Sequence, residues 1–303
     1  VWAGLALFFA FAADNFLSGT TIRAVASEQA VTAIVALGLT VALAAGVFDL
    51  SIAGSMGLAA VVVSKLVAES GWPIPLAIIA TVLVCSMIGL FNAFLVLKLR
   101  IHPFIATLGT QSILVALIYV VSDNKNIVGL PSSFRNLAST QIFSIPIPVF
   151  YMLGLALLLW YVMAYTPVGR RLYATGGNVD VARLAGIRTS RYVVGAFLTS
   201  AVVAGIGGII VTARIGTGSP ELGPSYLLPA FAAGFLGSTQ FRPGRFNAWG
   251  TVVAVYLLAT GVKGLVLMGA DFWVPDLFNG VALITAVGLS NLQRRPPKAE
   301  VGE

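Results

Sequence analysis

Charge is what this sequence has least of. Only 10% of its 303 residues are Asp, Glu, Lys or Arg, too few for the surface of an ordinary soluble domain. Cysteine occurs once, at Cys85, and histidine once, at His102. A lone cysteine excludes an intrachain disulfide, and a lone histidine leaves the usual zinc spacings unfilled. No His-Glu-x-x-His run occurs. No Gly-x-x-x-x-Gly-Lys-Ser/Thr run occurs either, and the nearest stretch, 216–223, has no lysine and is interrupted by Pro220. The chain is therefore expected to be no enzyme: it should hydrolyse no ATP, hold no metal and need no cofactor of its own. Charges inside the apolar runs are scarce too. That counts against a carrier driven by protons or sodium, which keeps carboxylates or cations deep in its bundle.

What fills the sequence is apolar. Hydrophobic residues make up 58% and mean hydropathy is +0.95, the signature of an all-α, polytopic membrane protein. Apolar runs predict ten spans, at 1–13, 28–47, 51–69, 74–97, 104–121, 147–165, 192–213, 224–240, 247–268 and 275–292. The first is too short to cross, and is expected to be a span cut short by the start of the sequence. Residues 1–292 thus read as one transmembrane domain, and 293–303 as a cytoplasmic tail.

The net charge of +7 would suggest nucleic acid for a soluble protein. Here it reads as orientation, and no nucleic-acid partner is expected. Lys98, Arg100, Arg170, Arg171, Arg183, Arg188, Arg191, Arg242, Arg245, Arg294, Arg295 and Lys298 all fall on one side. That side holds twelve of the eighteen Lys and Arg, which predicts both termini inside. Trp and Tyr cluster at span ends as interfacial anchors in lipid, and Gly205, Gly207 and Gly208 favour close helix packing. A short echo between Asp49-Leu50-Ser51 and Glu221-Leu222-Gly223, five spans apart, suggests an inverted repeat.

The longest basic stretch is 166–191. Its arginines are explained by any cytoplasmic loop. The grouping of Gly176 and Gly177 as flexible backbone, Asn178 as a helix cap, Asp180 at the positive helix end and Gly186 as a left-handed stop is not. A short helix over Val179–Ala185 carrying Val181, Ala182, Leu184 and Ala185 cannot stand alone in water, so it must lie against something.

Elsewhere, Asp49 with Ser51 reads either as the cap of the third span or as the lining of a path at a broken helix. Asn92 is an amide that needs a partner within an apolar span. Phe104, Thr107 and Thr110, with Gln111, share a helical face that suits a path or helix packing equally.

The run GRRLYATGGNVDVARLAGI (169–187), with FDLSIAG (48–54), GLFNAFLV (89–96) and HPFIATLG (102–109), resembles the ribose-type permeases. These are the membrane subunits of bacterial ABC importers for sugars, polyols and autoinducers. The resemblance runs from about Asn15 to Leu292. Phe48, where a small apolar residue is usual, and His102, where another polar residue is commoner, depart from the pattern.

The resemblance implies a multi-pass permease of the bacterial cytoplasmic membrane that passes a neutral sugar, polyol or similar solute inward. It implies that 166–191 is a coupling segment, with Gly176, Gly177, Asn178, Ala182, Arg183, Leu184 and Gly186 docking on an ATPase. The partners it implies are two ATPase subunits or one fused tandem, which bind ATP and Mg, a second permease copy or close relative, and an extracytoplasmic solute-binding protein. Asp49, Ser51, Asn92, Phe104, Thr107, Thr110 and Gln111 are the candidate path. The alternative is a self-contained secondary carrier or facilitator for a small neutral solute.

Overall fold

The computed structural model describes residues 2–241 and 244–294. Arg242, Arg295 and Lys298 lie outside these residues, as does most of the expected tail. The described chain is helical throughout, with one two-stranded hairpin.

Each predicted span coincides with a helix. They are α1 (Trp2–Ala12), α2 (Gly19–Ala44), α3 (Ile52–Ser64, prolonged by a π-turn at Lys65–Glu69), α4 (Ile74–Leu97), α5 (Pro103–Ser122), α7 (Ile147–Tyr165), α10 (Thr189–Ile215), α11 (Pro224–Gly237), α12 (Ala248–Leu267) and α13 (Val274–Arg294). Seven have the length and hydropathy to cross a bilayer; α1, α11 and α13 are shorter or less apolar. Proline opens α4, α5, α7 and α11, where the first-turn amide has no helical partner to lose.

Two helices and a hairpin were not expected from hydropathy. The loop 122–146 holds helix α6 (Ser132–Ser139) and a hairpin of β1 (Gln141–Ile142) with β2 (Ile145–Pro146). Its turn residues Phe143 and Ser144 both have positive φ, and the fully buried Phe134 anchors α6 to the bundle. The basic stretch holds α8 (Pro167–Gly177) ahead of the expected short helix α9 (Val179–Leu184).

The long helices α2 and α10, of 26 and 27 residues, run through the centre, packed on each other, α10 also on α3 and α4 and α2 on α7, α11 and α12. From Ala30 to Ala44 every residue of α2 is buried. Close approach is set by glycine: a Cβ on Gly207 would stand 2.8 Å from the Val35 side chain, and one on Gly208 would strike the Met56 carbonyl. Cys85 packs against Gly205 and offers its thiol to the Ser55 carbonyl, a packing role as expected. The outward faces of α4, α5 and α7 expose Leu83, Met87, Ile113 and Leu157, as lipid or a second copy would require.

The connections meet at two rims. At one, Ile127 pairs with Gly218, Lys65 donates to the Val121 carbonyl at 2.7 Å, and Arg214 lies 3.7 Å from Glu28. At the other, the arginine-rich rim, Tyr173 donates to the Phe246 carbonyl, Arg245 covers the Tyr173 ring and Gly46 touches Gly176. Both central helices end in a break followed by a shorter helix, α3 or α11, of 13 or 14 residues.

Candidate functional site

The site is built from the basic arm and the break after α2. Thr166 caps α8 by accepting from the Gly169 amide, with Pro167 at the first helical position. Asn178 leaves the helix in extended geometry and its Oδ1 accepts from Asp180 N and Val181 N, at 3.0 and 3.1 Å. Asp180 sits in the first turn, where the helix field favours a carboxylate, and lies 3.5 Å from Arg183. The stop is a Schellman motif. Gly186 has φ +77 and its amide bonds to the Arg183 carbonyl, while Ile187 N reaches the Ala182 carbonyl at 3.0 Å.

The faces of α9 are unequal. Ala182 is buried, 3% exposed, against its own chain. Val181 and Leu184 point to solvent, 61% and 90% exposed. Any partner therefore meets Val181 and Leu184, while Ala182 seats the helix on its own chain. Arg183 is held within the arm, its Nε donating to Thr189 Oγ1 at 3.2 Å.

The glycine pair is not a flexible loop, as the sequence suggested. Both residues close α8. A Cβ on Gly176 would strike the Ala44 carbonyl and stand 2.8 Å from Ala45 C and Gly46 N. Gly176 is needed because two backbones touch there. Around Gly177 there is open space.

Helix α2 ends on the same device as α9. Gly46 has φ +80, its amide bonds to Leu43 O, and Val47 N reaches Ala42 O, both at 3.1 Å. Residues 45–51 are non-helical, so their backbone groups need other partners within an apolar bundle. Thr107 Oγ1 accepts from Leu50 N at 3.1 Å and lies within donating reach of the Phe48 carbonyl at 3.3 Å. Gln111 Oε1 accepts from Gly54 N at 2.6 Å.

Asp49 Oδ1 accepts from Ser51 N and Ser51 Oγ, and Ser51 Oγ accepts in turn from Asn92 Nδ2 at 2.7 Å. The Asp49–Ser51 bond supports a capping role; Ser51 itself caps nothing with its side chain. Asn92 finds its partner at the break, in the residue that precedes α3. Asn92 Oδ1 and Ser55 Oγ are sealed from solvent with no hydrogen-bond partner among the described residues. Asp49 is sealed too, with the Ser200 hydroxyl beside its carboxylate.

A cavity of about 1090 Å³ opens at the arginine-rich rim. Phe48, Phe104, Phe231, Phe235 and Phe246 line it, with Arg170, Tyr173 and Arg245 on its polar side. Gly46, Gly176 and Gly177 also form its wall, so arm, break and cavity meet in one place. Of the seven candidate path residues, Phe104 alone faces this cavity. Asp49, Ser51, Asn92 and Thr107 are fully buried behind it, Gln111 is bonded to Gly54, and Thr110 bonds back to the Ala106 carbonyl.

Gly46, Tyr173 and Val181 were not singled out from sequence as site residues. Gly46 carried a readable signal, a glycine directly after an apolar helical run.

The family described as "branched-chain amino acid transport system / permease component" matches residues 21–287. The chain belongs to this family. Relatives include the D-allose transport system permease protein of Escherichia coli (strain K12), 31% identical over 95% of this chain and 88% of its own length. The ribose import permease protein of Bacillus subtilis (strain 168) is 30% identical over 90% and 85%. An autoinducer 2 import system permease protein of Yersinia pestis (strain Pestoides F) is 31% identical over 84% and 78%. No solved structure matches. The likeness to ribose-type permeases thus extends well beyond the four motifs, and the chain is a multi-pass permease of the bacterial cytoplasmic membrane.

Proposed function

We propose that this permease is the membrane subunit of an ATP-driven importer for a neutral sugar, polyol or similar polyhydroxylated solute. ATP and Mg are bound by two partner ATPase subunits or a fused tandem. A second permease copy or close relative completes the path, and a solute-binding protein delivers from outside. All ten helices cross, with both termini inside, and the arginine-rich rim is the cytoplasmic face. The central helices with their breaks at opposite rims are the counterparts of an inverted repeat.

One observation carries this reading. The exposed apolar face of α9 is joined through α8 to a backbone-to-backbone contact, Gly176 on Gly46, at the break that walls the inner cavity. A displacement of α9 by a partner therefore reaches the break with no soft side chain between them. Asn92 Oδ1 and Ser55 Oγ, unpartnered behind the break in this arrangement, would gain from a second one that gives them donors. A neutral solute suits a cavity wall that is mainly aromatic and apolar, with Arg170 and Arg245 at its rim, Arg245 laid on the Tyr173 ring, and Asp49 sealed away.

Two measurements test this. The purified chain should show no ATPase activity above background. Reconstituted with its ATPase and binding protein, it should take up a member of a panel of pentoses, hexoses and polyols only when ATP is supplied. Uptake by the chain alone, driven by a gradient, would make it a carrier.

Sidedness is tested by single cysteines in a Cys85→Ala background. Asn126→Cys and Phe143→Cys should react with an impermeant maleimide from outside; Leu99→Cys and Val181→Cys should react only after the cytoplasmic face is opened. Reaction of Val181→Cys in sealed cells would overturn the orientation.

A further inference from the structure

A second cavity, of about 490 Å³, opens at the opposite rim between α2, α11, α12 and α13. That size suits one small molecule. One wall is apolar, from Val255, Leu258 and Ala259 of α12. Polar side chains converge from the other elements: Gln29 and Thr32 from α2, Ser225 and Tyr226 from α11, Asp276 and Asn279 from α13.

Thr32 points to a ligand most directly. It is 95% buried by residue, being 5% exposed, yet its hydroxyl bonds to no described residue. Several other buried threonines settle this need within their own helix, although Thr212, sealed in the bundle, does not. Thr40 bonds to Ala36 O, Thr81 to Ala77 O and Thr110 to Ala106 O. Thr32 faces the cavity instead. A second orphan lies beside it: Pro229, inside α11, has no amide hydrogen to give the Ser225 carbonyl, and both residues line the cavity. The Gln29, Ser225, Tyr226, Asp276 and Asn279 side chains likewise have no hydrogen-bond partner among the described residues.

The chemistry selects a class. Amide, hydroxyl and carbonyl groups both give and take hydrogen bonds, as sugar hydroxyls do, and a carboxylate accepts from two neighbouring hydroxyls. The apolar wall suits a face of C–H groups. The Glu28 charge is matched by Arg214 at 3.7 Å, while Glu221 and Asp276 stand at the exposed mouth, where water screens them.

We propose that this cavity is an outer subsite, one within each permease copy, holding a single neutral polyhydroxylated solute on its way to the inner cavity. The proposal rests on the importer reading, and the test separates the two.

Uptake by cells carrying the whole importer is first measured with radiolabelled D-ribose, D-allose, other pentoses and hexoses, and polyols. If none enters, the importer reading falls and the subsite with it. With the transported solute, Thr32→Val should lower the maximal uptake rate about tenfold, roughly the loss of one well-placed buried hydrogen bond, and Thr32→Ser should restore it. The same solute at millimolar concentration should slow maleimide labelling of Ser225→Cys in a Cys85→Ala background, but not of Asn126→Cys. Normal uptake by Thr32→Val without protection of Ser225→Cys would overturn the subsite and leave the importer standing. Protection by tetramethylammonium in place of the solute would make it a cation site and overturn the proposal as well.

Discussion

Changing Gly176 to alanine is expected to lower transport by about 10- to 100-fold, although it adds a single methyl group. The new carbon would collide with the Ala44 carbonyl and stand 2.8 Å from two further backbone atoms, Ala45 C and Gly46 N. A flexible side chain could swing aside; these atoms belong to a helix end already pinned by two hydrogen bonds from Gly46 and Val47. The arm must back away, at a cost of order 1–3 kcal/mol for overpacking, and the link from α9 to the break is lengthened. The neighbouring Gly177→Ala is the control. Its new methyl meets open space, so uptake should be unchanged. Both variants are assayed for uptake in the reconstituted importer, with thermal unfolding in detergent to confirm that each is folded. Uptake of Gly176→Ala equal to that of Gly177→Ala would show that this contact transmits nothing.

That contrast also marks how far the sequence can be read. Spans 51–69, 74–97 and 147–165 coincide with helices because long apolar runs leave the backbone no other way to satisfy itself in lipid. Hydropathy starts the second span at 28, nine residues into the helix. Thr20, Thr21, Arg23 and Glu28 depress hydropathy there, yet Ser18 caps a helix that projects beyond the apolar layer. The cap at Asn178 and the stop at Gly186 were legible because both act within a few residues. Helix α8 was missed although Thr166-Pro167 is a readable start, because two adjacent glycines suggested a loop.

The contact between Gly46 and Gly176 joins residues 130 positions apart through backbone alone, and no residue type announces it. Most of the path candidates stand behind the inner cavity rather than in its wall, for a related reason. A threonine or glutamine in an apolar span signals that something polar needs a partner, but not whether that partner is a solute or a broken backbone. Thr107 and Gln111 serve Leu50 N and Gly54 N.

Leu184→Asp should uncouple the permease from its ATPase without disturbing the membrane domain. Leu184 makes no use of its side chain within this chain: it is 90% exposed, on a helix that two hydrogen bonds accepted by Asn178 and the glycine stop already hold in shape. An apolar residue so placed contributes only when covered, and covering a leucine is worth about 1.5–3 kcal/mol. Aspartate removes that contribution and adds a charge that must be stripped of water on docking. Binding of the ATPase should therefore weaken by about 10- to 100-fold at each copy, with uptake falling in step, while the unfolding temperature stays at the wild-type value.

Ala182→Asp should do the reverse. Being 3% exposed, it would put the carboxylate between α9 and its own chain and lower stability first. Co-purification of the ATPase, uptake and thermal unfolding of both variants distinguish the two faces. If Leu184→Asp retains the ATPase and transports normally, α9 is an ordinary cytoplasmic turn and the partner docks elsewhere.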